Sequence, residues 1–99
     1  MAATIEEITI NYEEDGKVIV KELDKEVLTK GAWTTIVFRY QQWDDKKEDY
    51  GDEQYTIRRY RKTGGNYLPQ SKFTISSARQ ARQITDLLTS WLPDMGEGD

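Results

Sequence analysis

Two glycine-bearing turns divide most of this chain into alternating runs, and that alternation limits what it can fold into. Ile8, Ile10 and Tyr12 alternate with polar residues before Asp15-Gly16, and Val18 and Val20 do so after it. Period two sends apolar side chains to one face of a strand, and an Asp-Gly pair between two such runs marks a hairpin. "TGGN", residues 63–66, supplies a second turn between the run at 54–62 and the run that ends in "KFTI". Glycine enters positive φ there without steric cost. Between the two hairpins, "WTTIVFRYQQW" (33–43) is rich in β-branched and aromatic residues. Its Ile36, Phe38 and Tyr40 point one way, and Trp33, Val37 and Arg39 the other. Pro69 cannot donate to a ladder, so the strand there is an edge or is broken.

One helix closes the chain. Ser76 or Ser77 can cap it, and Ala81, Ile84, Leu88 and Trp91, with Leu87 and Leu92, recur at helical spacing until Pro93. Strands followed by one terminal helix predict an α+β fold: an antiparallel β-meander of about five strands, with the amphipathic helix packed on one sheet face. Ninety-nine residues make one domain, 1–92. It divides into an extra N-terminal hairpin at about 5–30 and a sheet-plus-helix body at 33–92, followed by a disordered acidic tail at 93–99. The polar run "DDKKEDYGDE" (44–53) reads as a mobile, solvated loop, and its spacing misses the calcium-loop template.

With no His and no Cys, the chain lacks the usual acid–base group, the thiol nucleophile and the thiolate zinc site. Adjacent carboxylates such as Glu6/Glu7 point to opposite faces of a strand and form no dyad. The expectation is a protein without catalysis, cofactor or metal. No run is long and apolar enough for a membrane span, which predicts a cytoplasmic protein.

Charge is unevenly spread. Residues 1–53 carry a net −7 and residues 54–92 a net +6, within an overall −4. Such asymmetry suggests an anionic partner for the second half. On the strand at 54–62, Tyr55, Ile57, Arg59 and Arg61 share one face, and Thr56, Arg58, Tyr60 and Lys62 the other. Grouping Ile57 with Ile36, Phe38, Phe73 and Ile75 under the helix leaves Arg58, Tyr60 and Lys62 on the open face. Cations beside aromatic rings on a sheet suit single-stranded nucleic acid, because cations track phosphates and rings stack on unpaired bases.

"YTIRRYRKTGGNYLPQSKFTISSARQARQI" resembles the second half of the positive cofactor four family of single-stranded-DNA-binding, transcriptional-coactivator-type proteins. The matching residues are Ile57-Arg58-Arg59-Tyr60, Gly65 with Pro69, and Lys72-Phe73-Thr74-Ile75-Ser76; strand order extends the likeness back to about Trp33. The resemblance implies a curved sheet with one helix, a homodimer formed through the helices and final strands, and single-stranded DNA along the concave face. It places Arg58 and Tyr60 on the binding sheet and Lys72 at its rim. With Arg39, Lys62 and Tyr67 these are the expected nucleic-acid-binding residues. A second likeness, to a pleckstrin-homology-type domain with its C-terminal helix plugging an open barrel, implies binding of a protein or a lipid headgroup instead.

Overall fold

The computed structural model describes residues 3–93. Six strands form one antiparallel sheet: β1 (Tyr12–Glu14), β2 (Lys17–Thr29), β3 (Trp33–Asp44), β4 (Asp49–Tyr50), β5 (Gln54–Thr63) and β6 (Asn66–Ile75). Helix α1, Ala78–Trp91, follows. The strand order is β1-β2-β3-β5-β6, with β4 added beside the end of β3. The α+β meander with a single C-terminal helix is therefore present as expected. The sheet is open, with β1 and β6 as its edges, so it lacks the plugged barrel of the pleckstrin-homology likeness.

Turn chemistry sets both tight hairpins. Asp15 and Gly16 lie at φ 52° and 80°, and Gly64 and Gly65 at 58° and 84°. Two successive positive φ values match the right-handed twist of the flanking strands. Pro69 does not break β6. It sits on an edge strand, where its missing N–H costs no ladder bond. A bulge beside it pairs Tyr60 with Pro69 but Arg59 with Ser71, leaving Gln70 as the extra residue.

The β3–β5 register decides which residues are inside. Thr34 pairs with Tyr60, Ile36 with Arg58, and Phe38 with Thr56. Paired residues share a face, so Thr56, Arg58 and Tyr60 lie on the same side as Ile36 and Phe38, the inner face. Ile57 pairs with Val37 on the outer face. The expected grouping of Ile57 with Ile36 and Phe38 is therefore reversed. Two buried threonines, Thr34 and Thr56, take inward positions, their hydroxyls donating to Gly31 O and Phe73 O.

The N-terminal segment covers this face. Ile8 and Ile10 join Ile36, Phe38, Tyr40, Tyr60 and Tyr67 in one buried cluster, with Ile5 packed against it. Residues 8–11 form no strand, so side chains hold them in place of a ladder. Lys25 Nζ donates to the carbonyls of Ile5 and Ile8, and Glu22 Oε1 accepts from Thr9 Oγ1 at 2.8 Å and from Ile10 N at 3.2 Å. Asn11 Oδ1 accepts from Glu22 N at 2.7 Å.

Helix α1 sits elsewhere than over this core. Ser77 caps it by accepting from Gln80 N, but none of its residues is buried, and its main contact is with β6. With Ile8 and Ile10 already on the inner face, the helical stripe is left facing outward: Leu87, Leu88, Trp91 and Leu92 are all exposed. The run at 44–53 is also more ordered than its polarity suggests. Its β4 pairs Tyr50 with Trp43, the two rings meet edge to face at 5.3 Å, and Tyr50 Oη donates to Val18 O. Of the tail, residues 94–99 lie outside the described residues.

Because Ile8 and Ile10 are core residues, Ile8→Ala and Ile10→Ala should each cost about 2–5 kcal/mol in chemical denaturation. The exposed Thr89→Ala should stay within about 0.5 kcal/mol.

Candidate nucleic-acid interface

The N-terminal segment covers the inner face only in part, and what it leaves open lies over β5 and β6. Arg58 is at the centre. It lines a cleft of about 430 Å³ with Glu7, Tyr60, Tyr67 and Pro69, and a second of about 540 Å³ with Tyr12, Tyr40, Gln54, Lys72 and Thr74. The two clefts flank Thr9, so together they make an interrupted groove along β5 and β6.

Five of the six expected residues share the inner face with this groove, and four of them, Arg58, Tyr60, Tyr67 and Lys72, line it. Arg58, Tyr60, Lys62, Tyr67 and Lys72 all take inner-face positions, since Arg58 pairs with Lys72 and Lys62 with Tyr67. The bulge at Gln70 is what brings Lys72 in. Without that extra residue the alternation from Tyr67 and Pro69 would put Ser71 and Phe73 on this face. Arg39 is the exception. It points from the outer face and is paired with Glu53 at 3.1 Å and Asp24 at 3.9 Å.

The two tyrosines are not the open stacking rings their sequence positions suggest. Tyr60 is only 5% exposed and Tyr67 9%, because Tyr60 packs in the cluster with Ile8 and Ile36. They support the groove as its floor. The exposed ring beside the groove is Tyr12, 54% accessible and lining the second cleft, as Lys72 does. Alternation alone had marked Tyr12 as a hairpin residue. Only the fold of 8–12 across the sheet brings it near β6.

Electrostatically the groove is a cation site with little internal compensation. The only ion pairs among the described residues are the two made by Arg39. Arg58 Nε is buried and has no hydrogen-bond partner among the described residues. An orphaned, charged donor of this kind is costly unless something accepts from it. Lys62 Nζ lies 5.4 Å from the Tyr67 ring, a cation–π contact that leaves its N–H groups free for an anion. Glu7 also lines the first cleft, but its carboxylate accepts from Ala3 N, Thr4 N and Thr4 Oγ1. The Ala3 backbone bond, then the two from Thr4, hold its pKa below the usual carboxylate value.

Burial pushes the Tyr60 phenol above its ordinary value, with the Arg58 guanidinium pulling it partly back. A phenol raised in the folded state keeps its stabilising effect below the unfolded pKa of about 10 and loses it as pH rises beyond that. In an ultraviolet titration, the last tyrosine to ionise should therefore be missing from Tyr60→Phe. Unfolding should accompany its ionisation.

The chain matches no protein-family model, no curated protein and no solved structure.

Proposed function

We propose that this protein binds single-stranded nucleic acid, without catalysis, along the inner-face groove over β5 and β6. One observation carries the reading: Arg58, Lys62 and Lys72 line one strand pair with no carboxylate paired to them among the described residues, and Arg58 lines both clefts of the groove. A phosphodiester seated in the clefts that Arg58 lines balances the charge of its guanidinium. The phosphates run past Arg58 and Lys72, and an unpaired base stacks on Tyr12. Duplex is excluded because its bases are turned inward and cannot reach a ring inside a cleft. The resemblance to the positive cofactor four family agrees with this reading, as an accessory role in transcription or DNA maintenance would.

Charge and stacking are separable by mutation. Arg58→Ala and Lys72→Ala should each weaken binding to every sequence and reduce the slope of log K against log salt by about 0.7. Tyr12→Ala should cost about 1–3 kcal/mol with the slope unchanged. Fluorescence anisotropy with single-stranded and duplex oligonucleotides of equal length measures all three effects. Equal affinity for the two forms, or an unchanged salt slope in both cation variants, contradicts the reading.

The functional unit in this proposal is a homodimer. The exposed Leu87, Leu88, Trp91 and Leu92 of α1, together with the exposed Phe73 on the outer face of β6, form more apolar surface than a lone chain covers. A second copy covers it symmetrically. Sedimentation at micromolar concentration should give about twice the 11.6 kDa chain mass, and Trp91→Asp should return the species to one chain.

A further inference from the structure

The groove does not use all the basic residues of β5. Arg59 and Arg61 alternate out of it, onto the outer face, where Arg61 pairs with Trp33 and Arg59 with Thr35. Both guanidinium groups lie against one indole: Arg59 Cζ is 4.5 Å from the Trp33 ring centroid and Arg61 Cζ 5.4 Å. All three side chains are exposed, and Trp33 keeps 40% of its surface open. Arg39, the other arginine on this face, is neutralised by Asp24 and Glu53, whereas Arg59 and Arg61 make no ion pair among the described residues.

Stacking on an indole consumes the face of a guanidinium and leaves its edge of N–H donors free. The ring fixes the orientation of two long side chains in advance, which lowers the entropy lost when they grip an anion. As i and i+2 residues, their Cα atoms lie about 7 Å apart along the strand. Two forks in a row on an open strand pair fit successive phosphates of a polymer better than one small anion in a pocket. The part of Trp33 left uncovered, like the guanidinium planes themselves, offers a surface for an unpaired base. An acidic peptide would use the forks but would leave that surface idle.

We propose that Trp33, Arg59 and Arg61 form a second single-strand-binding site on the face opposite the groove. The two faces of one sheet then hold two strands, or two parts of one strand led around the sheet. The inference rests on the groove reading for its ligand class, but not for its residues. Trp33 and Arg61 lie toward the Gly64-Gly65 hairpin, whereas Arg59 lies one residue pair from Phe73 on the same face.

The wild-type chain labelled with fluorotryptophan tests this directly. Its three tryptophans give separate fluorine resonances, with Trp33 assigned by Trp33→Phe. The probes are a single-stranded oligothymidylate and inorganic polyphosphate. The Trp33 resonance should shift saturably with the oligonucleotide. Arg59→Ala with Arg61→Ala should weaken that response at least about tenfold, and Arg58→Ala with Lys72→Ala should leave it in place. A Trp33 signal that stays still while anisotropy reports bound oligonucleotide overturns the second site and leaves the groove standing. A shift abolished by the groove variants instead overturns it too, as a relay from the other face. A response to polyphosphate alone refutes the nucleic-acid assignment, and an oligonucleotide that binds nowhere refutes both sites.

Discussion

Ile36 lies directly across from Arg58, and most of the architecture depends on that one pairing. It places an arginine on the face that also holds the buried Phe38 and Tyr60. A face of this kind cannot be closed by a uniformly apolar layer, since the cation would be stranded. The chain closes half of it. Ile8 and Ile10 cover the aliphatic side, the Ile10 N–H donating to Glu22 and Lys25 donating to the Ile8 carbonyl, and the Arg58 side remains a groove. The thin axis of 19 Å reflects this arrangement: one sheet with a single narrow layer on it.

Local chemistry made the strands legible. Asp15-Gly16 and Gly64-Gly65 lie where two positive φ values are required, and the alternation in 33–43 correctly places Ile36, Phe38 and Tyr40 together. The facing of β5 was not legible from its composition. Hydropathy favours Ile57 as the inward residue, but register is set by partner strands and turns, and a slip of one residue exchanges the faces. The helix misled for a related reason. Its stripe of leucines and tryptophan marks a surface to be covered, but periodicity carries no information about what covers it. The N-terminal segment, which reads as part of a hairpin, had already taken the inner face.

The candidate site was partly visible in the same way. Arg58, Lys62, Tyr67 and Lys72 do share the inner face, yet Lys72 does so only through the bulge at Gln70, which Pro69 hints at without specifying. Tyr60 and Tyr67 belong to the groove as its buried floor, and Tyr12 replaces them as the exposed ring. Arg39 was grouped with the site by charge and is removed from it by charge, since Asp24 and Glu53 reach it first. The sequence-level partition between an acidic first half and a basic second half is therefore only partly cancelled by folding. The basic residues of β5 and β6 form no ion pairs among the described residues on either face, and that uncompensated charge is the physical basis of the proposed function.

The buried Nε–H of Arg58 offers the most direct measurement. Nitrogen-15 spectra of the arginine Nε–H groups, recorded while a single-stranded oligonucleotide is added, follow that donor itself. If a phosphate seats against the Arg58 guanidinium, the Arg58 signal should shift and saturate with the bound fraction, while Arg39 in its ion pairs stays fixed. An Arg58 signal that does not move as the oligonucleotide saturates the protein would contradict the account.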